Sequence, residues 1–470
     1  MQQRNNRMNK YYSKLPPLLL VLGAVLRISG TGASAIWFDE ANTLYRTSIP
    51  FFTLFTEQSE NSGDLLLELV LRPLMAISHS LWLLRLPSML AGLVSLWLVY
   101  KLMQRLDFNL PQQCLTAALV AFLPGLIWIA QDARSYGLLA LVVLAAFWYV
   151  LGGKWIGVVA TCGLMIYCHS TGPIYAAAIL MIALYLYPRK YKQIIWSGIA
   201  IAMTWAPAIV RILEHWMIQQ PWAPILTPAI LINSILAGMW TASIFIWPWF
   251  AIAILITLAF TLTLLISKNK SSIQITLIAA WVYPFAGLSI FSLITNNMVQ
   301  YRTLMPMLFP FCLWLGWELG LMRKPFAFRT ILGGVWIFLL LVGLVFWDPS
   351  ARGGKLDQVA VQIREQWRPG DVLVYATQTV ALPFDYYLND LPHENTDIVK
   401  HPFLNVPLVA PSPRPCNGSC LREWVIIPDD MLITPMERNE LGKIIRGYPV
   451  MYQIKYLQAA KIDIYLVDGK

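Results

Sequence analysis

The stretch LPPLLLVLGAVLRISGTGASAIWFDEANTLYRT, Leu15 to Thr47, sets the terms for the whole chain. An apolar run of roughly the ~20 residues that cross a bilayer ends in two adjacent carboxylates, Asp39 and Glu40. The run argues for a membrane span. The acids at its mouth raise the question of chemistry, because charge is poorly tolerated at that depth.

Composition extends the first point. With 57% hydrophobic and 13% charged residues over 470 positions, the chain is too apolar for a soluble protein of this length. Apolar runs recur to about Trp347, after which charge density rises; this predicts a membrane domain over 1–347 and a soluble domain over 348–470. The net charge of +10 does not signal nucleic acid. From residue 351 onward there are 13 Lys and Arg against 14 Asp and Glu, and before it 22 against 11, so the basic excess belongs to the membrane part.

The spans are read at about 15 to 36, 86 to 104, 112 to 131, 134 to 151, 155 to 170, 171 to 187, 193 to 211, 236 to 266, 272 to 295, 303 to 320 and 328 to 347, eleven in all. The basic N-terminus MQQRNNRMNKYYSK precedes a run without a small-residue cleavage site, which reads as a retained first span with a cytoplasmic N-terminus. Fifteen of the 22 basic residues then fall inside, including those of PRKYK (188–192), SKNK (267–270) and RKPFAFR (323–329). Segment 64 to 84 is read as an amphipathic helix on the outer surface, because counting it as a span inverts every later loop; Asp64, Glu68 and Arg72 then share its polar face.

This orientation puts Asp39, Glu40, QDARSY (131–136), His169 and QYRTLMP (300–306) on the outer side, with the C-terminal domain. Asp39 and Glu40 point about 100° apart on a helix, so one faces a site while the other braces it; alternatively Asp39 simply N-caps the helix that follows. Asp132 likewise reads as base or cap, Arg134 as phosphate ligand or snorkelling anchor, and Tyr136 as site residue or member of an aromatic belt. Arg302 suits a phosphate through its planar fork, and His169 reads as either a ligand or a helix-end histidine. Arg27, inside the first span, calls for an acidic partner. Cys114, Cys162, Cys168 and Cys312 read as small apolar residues, while Cys416 and Cys420 are spaced for a disulfide. The tail alternates helix and strand signals, LDQVAVQIREQW, GDVLVYAT, REWVIIP, PMERNELGKIIRG, VMYQIKYL and KIDIYLV, a small α/β layer without a phosphate loop.

Taken together these residues resemble the GT-C membrane glycosyltransferases of the bacterial family 39 type, related to protein O-mannosyltransferases and the lipid A aminoarabinose transferase. WFDEA matches the family's Asp-Glu pair and LRLPSML (84–90) the Arg-Leu-Pro-Ser start of the second span. QDARSY matches Gln-Glu-Ala-Arg-x-Tyr with Asp132 replacing Glu, His169 the outer helix-end His, and RTLMP (302–306) Arg-Tyr-Leu-x-Pro with Thr303 standing in for Tyr. Where the family has His-Pro-Pro-Leu-Tyr-Tyr, this chain reads NSGDLLLE (61–68). The resemblance implies an all-α polytopic GT-C fold with juxtamembrane helices and a polyprenyl-phosphate sugar donor. Asp39 is then the base, and Arg302, Arg134 and His169 hold the departing phosphate. It leaves the sugar and acceptor unnamed and a divalent metal near Asp39 open. A transporter or lipid flippase, and an inactive relative acting as a binding module, are the rival readings.

Overall fold

The computed structural model describes residues 13–50, 65–217, 226–240, 248–266, 270–295, 299–321, 326–347, 356–375, 378–391, 393–395, 422–428, 450–456 and 462–468. The chain is mostly helical and divides into two compact units. The first comprises Met1–Thr31, Pro50–Gln219 and Ala223–Trp347; the second comprises Gly32–Ile49, Gln220–Trp222 and Asp348–Lys470.

In the first unit three described helices are long and apolar enough to cross a membrane: Leu81–Arg105, Ser272–Ile294 and Ala327–Phe346. Gly172–Leu186 and Pro188–Ala208 pass the same test only jointly, bent by 116°, and six further apolar helices are shorter. A proline accounts for one division. The run read as one span over 112 to 131 forms two helices, Leu110–Phe122 and Pro124–Trp128, because Pro124 has no N–H and bars Leu123 from helical geometry. In the run over 236 to 266 the described residues form helices Pro228–Trp240 and Pro248–Thr263, each starting on a proline, and residues 241–247 lie outside the described residues. The buried core is leucine- and aromatic-rich, with Trp281, Phe311, Trp314 and Trp336 in mutual ring contact.

The Pro124 break also explains Arg27. The last carbonyls of a helix lack intrahelical donors, and Val120 O is the acceptor that Pro124 cannot serve. Arg27 donates to Val120 O (2.9 Å), Ala121 O (3.3 Å) and, in its own helix, Gly23 O (2.9 Å). The expected acidic partner is thus replaced by main-chain carbonyls.

The helix Leu65–Met75 corrects a second expectation. Glu68 is fully buried, alongside Leu65, Leu67, Leu71 and Met75, so it is not on a solvent face; Asp64 lies outside the described residues.

Gly125 marks a close approach of helix Pro124–Trp128 to helix Pro228–Trp240. A Cβ built there would stand 1.7 Å from the Gly238 carbonyl oxygen. Gly125→Ala is expected to destabilise the folded protein by about 1–3 kcal/mol, the usual cost of overpacking, read as a lowered thermal midpoint in detergent.

The second unit carries a five-stranded sheet of β1 (Asp371–Tyr375), β2 (His393–Asn395), β3 (Arg422–Pro428), β4 (Val450–Tyr456) and β5 (Ile462–Asp468). Their order is β2-β1-β3-β5-β4, with β1 parallel to both neighbours and β5 antiparallel to both of its own. Helices Leu356–Gln366 and Gln378–Leu388 contribute Val359, Ile363, Phe384 and Leu388 to a core that includes Trp424 and Ile426. The Trp424 indole N–H donates to Asp371 (3.0 Å). Arg364 donates to both Asp390 oxygens (2.9 and 2.5 Å), and this holds the Asp390 carboxyl below its ordinary pKa. The expected helix PMERNELGKIIRG and the Cys416–Cys420 pair lie outside the described residues.

Candidate functional site

In the first unit the candidates gather around the irregular segment Ile129–Ser135, which joins helix Pro124–Trp128 to helix Tyr136–Leu151. The whole segment is buried. Gln131 Nε2 ties it to the end of helix Leu15–Ser29 by donating to Leu26 O (2.7 Å) and Arg27 O (3.2 Å). Ser88 Oγ donates to Arg134 O (3.1 Å), and Arg85 Nη1 donates to Thr31 O (2.8 Å). The Arg-Leu-Pro-Ser match at 85–88 therefore works as scaffold for the polar segment. Sequence reasoning quoted that motif without assigning it a role.

Three of the alternative readings of this segment are corrected. Asp132 is not a cap, since Ser135 occupies the N-cap position of the next helix and Asp132 is only 1% exposed. Arg134 does not reach out to headgroups, being 5% exposed, and Tyr136, at 4%, is no belt residue. Charges this deep persist only with polar compensation.

His169 ends helix Trp155–Cys168 in an extended conformation, and the next helix starts at Gly172. The turn requires that glycine: a Cβ there would stand 2.2 Å from Met165 O. The Thr171 backbone N–H donates to His169 Nδ1 (3.2 Å), with Thr171 Oγ1 2.9 Å away. Because Nδ1 accepts a proton donor, the neutral ring carries its hydrogen on Nε2 and presents a donor there. The Tyr136 ring lies against the imidazole at 4.9 Å between centroids.

One turn beyond Thr171, buried Tyr175 donates to Thr303 O (2.5 Å), which joins this helix to the short helix Tyr301–Leu304. Thr303, at the position where the family pattern has Tyr, accepts the Gln300 N–H in a capping arrangement (3.1 Å). Arg302 between them is held by aromatic rings. Its guanidinium carbon is 5.0 Å from the Tyr301 ring and 5.9 Å from the Trp128 ring, and Nε donates to Tyr301 Oη (2.7 Å). Such stacking orients the planar fork while leaving its charge intact. Trp128 and Tyr301, 5.4 Å apart, were not singled out from sequence. Their only signal there was proximity, one beside Arg302 and the other four residues before Asp132.

The contacts close a loop: Trp128 leads into the segment bearing Asp132, Arg134 and Tyr136, Tyr136 packs on His169, and Thr171 to Tyr175 leads back to Arg302. The elements that carry Asp132, Arg134, His169 and Arg302 are thus linked by packed rings and hydrogen bonds within the first unit. That set suits a bound oxyanion.

The acidic pair belongs to the second unit. Helix Phe38–Ser48 has Trp37 as its N-cap, so Asp39 and Glu40 are the second and third helical residues and the cap reading of Asp39 is corrected. Both sit where the helix dipole favours negative charge. Glu40 is fully buried and Asp39 only partly so. Among the described residues no group of three or more His, Cys, Asp and Glu gathers as a metal site.

In comparisons with known proteins, no family model matches the chain, and no curated protein matches it.

Proposed function

We propose that this protein is an inverting glycosyltransferase that moves a single sugar from a polyprenyl-phosphate donor to an acceptor on the extracytoplasmic face of a bacterial plasma membrane. The reading includes eleven spans, a cytoplasmic N-terminus and an extracytoplasmic C-terminal α/β domain.

In this mechanism Asp39 takes the proton of the acceptor hydroxyl as its oxygen attacks the anomeric carbon. The bond to the lipid phosphate breaks on the opposite face, and the configuration inverts. Arg302, Arg134 and the His169 Nε2–H take up the charge that develops on the leaving phosphate. Glu40 braces the helix that presents Asp39. Asp132 balances the positive charge of the Arg134 segment, and Tyr136 fixes the imidazole plane.

The observation that carries the proposal is the Arg302 guanidinium, stacked by Trp128 and Tyr301 and joined through Thr303 and Tyr175 to the His169 turn. A transporter's charges concentrate near mid-bilayer between repeated halves, and the sequence contains no such repeat.

The test is incubation of the purified protein with synthetic polyprenyl-phosphate sugars. Sugar transfer or release with inverted configuration is expected; movement of intact donor between leaflets without its cleavage would identify a flippase instead. Within that assay Arg302→Lys is expected to lower turnover by about 10- to 100-fold, the loss of one charge-assisted bond of roughly 1.5–3 kcal/mol. Equal turnover with Lys would reduce Arg302 to an anchor.

A further inference from the structure

Residues 32–49 do not fold with the helices that flank them in sequence; they join the unit built from residues 348–470. The attachment is specific. Ala35 packs in the same apolar core as Phe384, Leu388, Trp424 and Ile426. Ile36 is fully buried, and its backbone N–H donates to Tyr387 Oη at 3.0 Å. Trp37 then provides the N-cap position without a side-chain cap bond, and Asp39 and Glu40 follow directly. The Tyr387 hydroxyl is therefore bonded to the chain three residues before Asp39.

Tyr387 is itself fixed. It stands in the last turn of helix Gln378–Leu388, its carbonyl accepts from Arg364 Nη2 (2.6 Å), and Arg364 is paired with Asp390. Its ring meets that of Tyr386 edge-on at 4.9 Å. A continuous set of bonds thus runs from Asp390 through Arg364 and Tyr387 to Ile36 and the first turn of the acidic helix.

We infer that Tyr387 is a positioning residue for Asp39, so that the 348–470 part of the second unit, to which this reading assigns no reacting group, sets the geometry of the base. The inference rests on the proposed role of Asp39. A general base works only within hydrogen-bond reach of the proton it removes, and a displacement of about 1 Å is enough to lower a rate ~100-fold. The conformation of a helix's first turn follows from where the residues ahead of its cap are held. In this chain the hydroxyl of Tyr387 holds them.

Tyr387→Phe keeps the ring and its packing and removes only the hydroxyl. Three results are expected in the full-length protein: amide exchange at Ile36 and the first turn of helix Phe38–Ser48 speeds up about 5-fold, in line with one lost hydrogen bond; kcat falls by about 10-fold while the KM for the lipid donor stays put; and the thermal midpoint is retained. A general loss of folded protein would instead accelerate exchange in β1 and β3 as well. In an Asp39→Asn background the same change is expected to add no further loss, because no base is left to aim. Normal kcat in Tyr387→Phe, with Asp39→Asn inactive, would overturn the positioning role alone. Full turnover in Asp39→Asn would remove the base and this inference with it.

Discussion

Asp39→Asn is expected to lower turnover by about 10²- to 10⁴-fold, equivalent to roughly 3–5 kcal/mol of transition-state stabilisation. The substitution is close to isosteric, and Asp39 is partly exposed at the second position of its helix, so the fold has little to lose. The Thr43 hydroxyl bonds the Asp39 main-chain oxygen (2.9 Å), a contact that Asn keeps. What disappears is the ability to accept a proton. Donor binding, assigned to Arg302, Arg134 and His169, is expected to persist, so the effect falls on kcat with the donor KM little changed. Glu40→Gln differs in kind, because Glu40 is fully buried and its replacement perturbs folding along with activity. Single-turnover sugar release, set beside a thermal melt of each variant, separates the two cases. Unaltered turnover in well-folded Asp39→Asn protein takes the base role away from Asp39.

How much of this was legible in the sequence depends on whether the deciding interaction was local. Apolar runs announce their helices because bilayer thickness and helical rise fix a length that the eye can count. Helix Leu356–Gln366 and strands β1, β3 and β4 lie within the stretches whose patterns suggested them, and β5 overruns its stretch by one residue, since apolar periodicity and β-branched runs are local signals. The strand order β2-β1-β3-β5-β4 was not legible, because it comes from tertiary pairing. Pro124 was in plain view, yet the run over 112 to 131 was read straight through it; length and hydropathy outweighed a single residue whose missing N–H decides the break. The polar segment 131–135 misled in the opposite direction. Its composition reads as interfacial, but Asp132 and Arg134 are buried, in a segment that Gln131 ties to the end of helix Leu15–Ser29 and that Ser88 holds at the Arg134 carbonyl. Arg27 followed the same logic, with a requirement for polar partners that was correct and partners that were carbonyls exposed by a proline over ninety residues away. Candidate residues were thus readable as chemistry, while their surroundings were not.

The partner of a second buried charge yields the largest stability effect. Arg329→Met is expected to destabilise the protein by about 3–5 kcal/mol, the usual result of stripping one partner from a buried ion pair. Glu318 is fully buried near the end of helix Leu308–Leu319 and receives Arg329 Nη1 on Oε2 (3.1 Å) and Gln274 Nε2 on Oε1 (2.7 Å). Arg329 Nη1 also donates to the Glu318 carbonyl. Gln274 in turn caps its own helix by accepting the Ser271 N–H (2.8 Å), so one carboxylate gathers the starts of helices Ser272–Thr295 and Phe326–Phe346 at the end of a third. Without Arg329 the carboxylate keeps, among the described residues, a single neutral side-chain donor, too little to compensate its lost hydration. Adding Glu318→Gln to Arg329→Met removes the orphaned charge and keeps an acceptor for Gln274, so the double variant is expected to recover most of the lost stability, a coupling that simple addition of the two changes would miss. Unfolding midpoints in detergent for the two single variants and the pair decide the matter; an unchanged midpoint for Arg329→Met would mean that the pair does not hold these helices. The consequence reaches the proposed site, because the helix that Glu318 secures, Leu308–Leu319, starts six residues after Arg302 and is roughly 18 Å long. Loosening the far end lets the whole rod slide, so Arg329→Met is also expected to weaken donor binding without touching any residue of the phosphate cluster.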